Sequence, residues 1–452
     1  MEVIMAAGKR EQWSSEFGFL MAAAGSAVGL GNLWKFPYMA ANNGGAVFVL
    51  VYVLFLLLLG IPILLSEMSV GRSTRLNALD ACRKIGRRWG FVGGIGIAGS
   101  FVILSYYSVV GGWVLKYLFA YLSGADIAEP AAYFDGFVSS SAEPIIWHLV
   151  FMGITSVIVF FGIRGGIERA SKLLLPALLV FIIILAAVSV SLDGAEAGVR
   201  YFIVPDFSHL DSPGEIGRLL LSAMGQVFFS LSLGMGTLIT YGSYLDKHAN
   251  LQKNAVAIPV IDSVVAILAG FAILPAVFAF GLEPGSGAGL VFKTLPAVFG
   301  HLPAGRILAV IFFLLVFFAA LTSSISLLEV ITSFVMERFS LSRIKAALIP
   351  AVLMAVLGAA ASLSFGALGG FTIGGHNLFD ILTFLSDKLL MPIGGFFMCI
   401  LVGYVWGIPA ASKEITSKGL YKFPLMKLFS AVIRYVAPAL IVVIFISSLF
   451  SE

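Results

Sequence analysis

Long apolar runs alternate with short polar ones along the whole chain. Eleven apolar segments stand out, at 17–41, 46–70, 91–122, 145–163, 172–191, 218–244, 256–281, 305–336, 346–364, 379–407 and 426–449. Each is read as a bilayer-crossing helix, because a span needs about twenty apolar residues. Two of them are interrupted. The first carries Gly25-Ser26-Ala27-Val28-Gly29-Leu30-Gly31-Asn32, and the sixth carries Ser230-Leu231-Ser232-Leu233-Gly234-Met235-Gly236-Thr237. Glycine weakens a helix by about 1 kcal/mol relative to alanine. A helix that breaks inside a membrane also frees backbone groups that are costly unless something polar meets them. Small-xxx-small spacing such as Gly25–Gly29 serves close packing as well, and for one segment alone that reading stands. Two breaks five segments apart fit instead an inverted repeat with its site near the midplane. The expected fold is an all-α polytopic membrane protein with 11 transmembrane helices. Residues 17–191 would form the first repeat of five, residues 218–407 the second, and 426–449 an extra helix; helices 1 and 6 would be discontinuous.

Composition supports the membrane reading. Of 452 residues, 60% are apolar and 12% charged, and mean hydropathy is +1.03. This excludes an ordinary soluble domain. A net charge of +4 gives no case for a nucleic-acid partner. Cys82 and Cys399 are too few and too far apart for a metal or disulfide framework. Residues 1–12 are short and polar without a cleavable signal pattern, so the first span is expected to be retained. No Asn-x-Ser/Thr acceptor occurs, which suits a prokaryotic plasma (inner) membrane. The loop after the second span holds Arg72, Arg75, Arg83, Lys84, Arg87 and Arg88, whereas residues 123–144 hold four acids and no Lys or Arg. By the positive-inside rule the N-terminus is cytoplasmic, and an odd number of spans leaves the C-terminus external. The external segments 123–144, 192–217 and 282–304 read as caps or solvated connections.

Several polar groups inside the spans need partners. Glu67, near the inner end of the second span, is an ion or proton site, or a structural acceptor for N–H groups freed in the sixth span. Asp262 is placed at the start of the seventh span with no Lys or Arg within eight residues. It needs a cation, a proton or a hydrogen-bond network, unless it is a helix-start residue. Thr322-Ser323-Ser324 offers hard oxygen ligands of the kind Na⁺ prefers, or simply bonds back to the preceding turn. Tyr106 and Tyr107 fall mid-span. Gly166 and Pro176, ten residues apart, bracket the start of the fifth span as a hinge or a helix start. Gly60 and Pro62 are expected to kink the second span.

Taken together, Arg10-Glu11-Gln12-Trp13, the run Gly25 to Pro37, Asn43-Gly44-Gly45-Ala46, the run Gly225 to Ser232, and Leu321-Thr322-Ser323-Ser324 resemble the neurotransmitter:sodium symporter family. The resemblance covers nearly the whole chain, and eleven spans resemble a bacterial subgroup of amino-acid transporters. It implies sodium-driven uptake by alternating access and two Na⁺ ions, with no organic cofactor. The first ion would be held by the Ala27 carbonyl, Asn32, Ser230, Asp262 and the substrate carboxylate. The second would be held by carbonyls of Gly25, Val28 and Ala319 with the hydroxyls of Thr322 and Ser323. The substrate would meet Leu30, Gly31 and Tyr107 through its carboxylate, and carbonyls around Ala27, Phe229 and Ser232 through its amino group. Ser26, Ile103, Met235 and Leu327 would line the side-chain pocket, with Phe229 as lid, and Ser230 and Ser323 are assigned to the substrate site as well as to the ions. Arg10 and Glu337, with Trp13 nearby, would close the cytoplasmic side. Lys35 would close the outside, with Asp380 assigned to that gate and Asp387 also near. Amine-carrying relatives place Asp at position 29, so Gly29 implies an amino acid, and Met235 suits a large apolar or aromatic one. A carboxylate at 262 replaces the anion that chloride-dependent relatives recruit, and it would take a proton on the return step.

A channel or a carrier of another amine are the competing readings, but no repeated filter motif is present. An enzyme is not expected: the five His residues form no metal pair and no nucleophilic triad.

Overall fold

A computed structural model describes residues 10–208, 210–282 and 288–450, the side chains of 444 and 447–450 excepted. Residues 1–9 and 283–287, which belong to the expected polar leader and to the third external segment, lie outside the described residues. The described chain is helical, and its sole β pairing is an isolated bridge between Ile373 and His376. Its long elements are α1 (Glu16–Ala27), α2 (Gly31–Asn42), α3 (Ala46–Thr74), α4 (Gly90–Ser123), α5 (Glu143–Phe160), α6 (Ile163–Val190), α7 (Pro213–Ser230), α8 (Thr237–Ser243), α9 (Leu251–Ala279), α10 (Gly305–Phe339), α11 (Arg343–Leu363), α12 (Leu378–Ile415) and α13 (Met426–Val443).

Nine described helices are long and apolar enough to cross a membrane, and a tenth span arises if α1 and α2, bent by 49°, count as one. The expected sixth span differs. It is divided into α7 and α8 around residues 231–236, and neither piece reads as a crossing helix by itself. The first break is narrower than the glycine run suggests, since α1 continues through Ala27 and α2 resumes at Gly31.

Local chemistry sets the helix starts. Ser15 caps α1 by accepting from Gly18 N–H at 3.0 Å, and Asn250 caps α9 by accepting from Lys253 N–H at 3.0 Å. That second cap overturns the placement of Asp262 at a helix start. The first turn of α9 carries the polar Gln252, Lys253 and Asn254, so the helix begins well before its apolar run, and Asp262 sits deep within it. Likewise α6 starts at Ile163, ahead of the expected residue 172. Gly166 lies in its widened first turn and Pro176 inside it. A Cβ on Gly166 would collide with the Ile158 carbonyl, so close approach to α5 requires the glycine. In α3 a widened turn at Leu56–Gly60 precedes Pro62.

The long helices α4 and α10 pack on each other and, with α5 and α11, form one side of the molecule. Against them lie α1, α6 and α9, while α8 packs on α3 and α12 on α13. The segments expected to be external hold helices that the hydrophobic pattern did not announce, at Pro130–Ser139, at Glu196–Ile203 and at 290–301. Phe292, in the last of these, lies against Trp34, Trp113, Tyr117, Phe134 and Phe313, and its carbonyl accepts from the Tyr117 hydroxyl at 2.9 Å.

Candidate functional site

The two breaks face each other. At the first, Gly29 N–H donates to Asn32 Oδ1 at 3.1 Å and Leu30 N–H donates to the Tyr107 hydroxyl at 3.1 Å. The Gly31 carbonyl accepts from Gln226 Nε2 at 3.1 Å. At the second, Gly234 N–H donates to Glu67 Oε1 at 2.8 Å and the Met235 carbonyl accepts from the Ser100 hydroxyl at 2.8 Å. Side chains therefore meet the groups that unwinding frees, as burial in a membrane interior demands. Gly234 and Gly236 have φ of 78° and 74°, and Ser232 has φ 53°, a left-handed conformation that costs a non-glycine residue roughly 1–2 kcal/mol. A Cβ on Gly234 would lie 2.5 Å from the Met391 carbonyl oxygen.

A buried polar cluster sits beside these breaks. Asp262 Oδ2 accepts from the Ser230 hydroxyl at 2.7 Å and the Tyr52 hydroxyl at 3.1 Å, and Oδ1 accepts from Asn32 Nδ2 at 2.8 Å. Asn32 Nδ2 also lies 3.2 Å from Ser230 Oγ. Asn32, Asp262 and Tyr52 are all fully buried. No Lys or Arg pairs with Asp262 among the described residues. A buried carboxylate with three neutral donors and no cation is a favourable place for a hard monovalent cation. Tyr52 was invisible to sequence reasoning, because a Tyr within an apolar span reads as packing.

A second cluster joins α1 to α10. The one hydrogen of Ser323 Oγ is shared between the carbonyl oxygens of Ser26 at 3.2 Å and Val28 at 3.4 Å. Thr322 Oγ1 donates to the Ala319 carbonyl at 3.1 Å, and a Cβ on Gly25 would lie 3.4 Å from the Thr322 side chain. Gly25, Val28, Ala319, Thr322 and Ser323 thus converge. Ser324 points elsewhere and bonds back to Ala320 at 2.8 Å. Ser326 was not singled out from sequence, yet it accepts from Ser26 Oγ at 2.6 Å and donates to the Ser323 carbonyl at 2.8 Å.

Between the clusters lies a cavity of about 30 Å³. All the residues assigned to the substrate pocket line it: Ser26, Ala27, Leu30, Gly31, Ile103, Tyr107, Phe229, Ser230, Ser232, Met235, Ser323 and Leu327, joined by Gly29. Both ends are closed. On one side Lys35 Nζ is 3.3 Å from Asp387 Oδ2 and 4.2 Å from the centre of the Phe229 ring. The assignment of Asp380 to this gate is therefore corrected. Asp380 is exposed in the first turn of α12, and residues seven apart on a helix are about 10 Å apart along its axis, so Lys35 reaches only the inner acid. Tyr106 joins the same group, 3.1 Å from Ser386 Oγ. On the other side Arg10 pairs with Glu337, which also accepts from Asn77 N–H at 3.0 Å. Arg10 donates to Ser243 Oγ at 2.6 Å and lies 4.7 Å from the Tyr244 ring centre. The buried Trp13 donates to the Tyr241 carbonyl at 3.1 Å.

The family model described as the sodium:neurotransmitter symporter family matches residues 10–126 and 139–452. An uncharacterized sodium-dependent transporter of Bacillus subtilis (strain 168) is 38% identical over 449 residues, 98% of each chain. The sodium- and chloride-dependent GABA transporter 2 of Bos taurus is 28% identical over 386 residues, 73% of this chain and 62% of its own. The crystal structure of MhsT in complex with L-phenylalanine matches with a TM-score of 0.88 at 43% identity, covering 97% of this chain and 100% of that one. With paired breaks, buried oxygen clusters and a sealed cavity in the same helical frame, the chain belongs to the sodium:neurotransmitter symporter family, whose members are sodium-coupled multi-pass membrane transporters and not enzymes.

Proposed function

We propose that the chain imports a hydrophobic or aromatic L-amino acid together with two Na⁺ ions, by alternating access and without chloride. The observation that carries this reading is the cavity, whose lining unites the freed backbone of both breaks with Tyr107 and an apolar wall. One Na⁺ is assigned to the Ala27 carbonyl, Asn32, Ser230, Asp262 and the substrate's own carboxylate. The other is assigned to the carbonyls of Gly25, Val28 and Ala319 and the hydroxyls of Thr322 and Ser323. Oxygen-only sets of this kind suit a hard cation. Ser323 now aims its one hydrogen at the carbonyl oxygens of Ser26 and Val28, so an ion held by Val28 meets the hydroxyl through a lone pair while its hydrogen stays on Ser26.

The substrate carboxylate is assigned to the N–H groups of Leu30 and Gly31 and to Tyr107. The Leu30–Tyr107 bond holds both donors together for it. Its amino group is assigned to carbonyls near Ala27, Phe229 and Ser232. Gly29 supplies no counter-carboxylate for a bare amine, and the L-phenylalanine bound by MhsT supports an apolar substrate here. A cavity of about 30 Å³ holds little more than one water. Phe229 and Met235 therefore have to give way when an amino acid enters. The reading includes a five-plus-five inverted repeat, a plasma-membrane location and a cytoplasmic N-terminus, the last from the basic loops.

Uptake into proteoliposomes of a labelled amino-acid panel tests it, with an inward Na⁺ gradient, with K⁺ replacing Na⁺, and with gluconate replacing chloride. Sodium-dependent accumulation of one apolar or aromatic member that persists in gluconate is the expected result. Accumulation of none, or conductance without substrate, would sink the reading.

A further inference from the structure

A second cavity, of about 610 Å³, opens on the face expected to be cytoplasmic, lined among others by Arg10, Glu11, Gln12, Arg75, Phe161 and Arg164. Its charges do not cancel. Arg10 is answered by Glu337. Glu11 is answered by Arg343 at 3.3 Å and by the Ile163 N–H at 2.6 Å. Arg164 donates through Nε to the Gln12 carbonyl at 2.8 Å and has no acidic partner among the described residues. The Arg75 side chain makes no hydrogen bond or ion pair among the described residues, and its Nε is buried without an acceptor. Arg75 is also held in the left-handed region, with φ 56°, where it ends α3.

Two guanidinium groups that share a cavity and lack anionic partners call for an anion, and arginine is the side chain that grips phosphate oxygens in pairs. Phe161 points to its source. The residue follows α5 directly, is 70% exposed, and lines the same cavity as the arginines. An exposed aromatic beside basic groups at a membrane-protein rim suits the boundary between acyl chains and head groups, and basic pockets on the cytoplasmic side bind anionic head groups. We propose that this cavity is a binding site for the phosphate head group of an anionic lipid, held by Arg75 and Arg164 with Phe161 among the acyl chains. The lipid would tie the end of α3 to the connection between α5 and α6, next to Arg10. Binding itself is independent of the substrate and ions assigned above.

Native mass spectrometry tests it. The full-length protein is recovered from vesicles of equal phosphatidylglycerol and phosphatidylcholine, and the retained lipid is counted. The expected result is that the wild type keeps phosphatidylglycerol in preference, and that Arg75→Gln/Arg164→Gln keeps several-fold less. Arg164→Lys, which restores the charge at an exposed position, recovers part of the loss. If the double variant does not fold, Arg164→Gln alone carries the comparison. Equal retention by wild type and variant overturns the site. Displacement of the lipid by millimolar inorganic phosphate, with loss of the preference, overturns the lipid as occupant and assigns the cavity to a free phosphate anion.

Discussion

The Ser323 hydroxyl donates to the carbonyl oxygen of Ser26 at 3.2 Å, while Ser26 donates its own hydroxyl to Ser326 at 2.6 Å. The unwound end of α1 is thus held to α10 by bonds running in both directions. Ser323→Ala removes a proposed ion ligand, and Ser326→Ala removes only the brace. A lost hydrogen bond is worth about 0.5–1.5 kcal/mol, so each variant is expected to bind Na⁺ several-fold more weakly, Ser323→Ala more than Ser326→Ala. Equilibrium substrate binding against Na⁺ concentration reads both. An unchanged Na⁺ dependence in Ser323→Ala would falsify its role as a ligand.

Gly29 is constrained by its neighbours. A Cβ there would lie 2.7 Å from Ser323 Oγ and 3.0 Å from the Tyr107 hydroxyl. Overpacking typically costs about 1–3 kcal/mol. Gly29→Ala is therefore expected to lose roughly ten- to hundredfold in substrate affinity, measured by binding of a labelled substrate in detergent. Wild-type affinity would show that this junction is looser than its contacts imply.

The ion pair of Lys35 makes a contrast between two acids. Lys35→Gln and Asp387→Asn should alter substrate association to the same degree, by about 1 kcal/mol or less since both partners are partly solvated. The double variant should be no worse than either. Asp380→Asn should be silent. Additive losses, or a strong effect at Asp380, would break the assignment.

In the proposed reading Asp262 supplies the negative charge of the first ion site. Asp262→Ser should make transport require chloride, with uptake falling at least about tenfold, or 1.4 kcal/mol, when gluconate replaces it. Uptake by the variant that is equal in both anions would remove the charge-substitution argument.

Glu67 bonds Gly234 N–H, and the other carboxyl oxygen has no partner among the described residues. Glu67→Gln keeps an acceptor and should melt near the wild-type temperature. Glu67→Ala strands a buried N–H and should cost about 1–3 kcal/mol, seen as a lower melting temperature in detergent.

The sequence revealed most where backbone chemistry left no choice. Glycine and hydroxyl runs inside apolar segments announced both breaks, and the family resemblance carried by the motifs gave every residue of the cavity lining but Gly29. Partnerships set by tertiary packing were hidden. Tyr52 reaches Asp262 from α3 and Ser326 reaches Ser26 from α10, and nothing local distinguishes either from a neighbour that only packs. The two acids of α12 share a helix face, so only the height of Lys35 decided between them. The start of α9 was missed because its first turn is polar, and the short helices between spans because short amphipathic segments there look like loops.

Asn32 and Lys35 lie one helical turn apart, and Phe229 directly precedes Ser230. The groups assigned to the cargo and the groups that shut one door are therefore carried by the same short pieces of backbone. On the proposed reading, the coupling between the cargo and this one door is thus carried by two short chain segments meeting at one point.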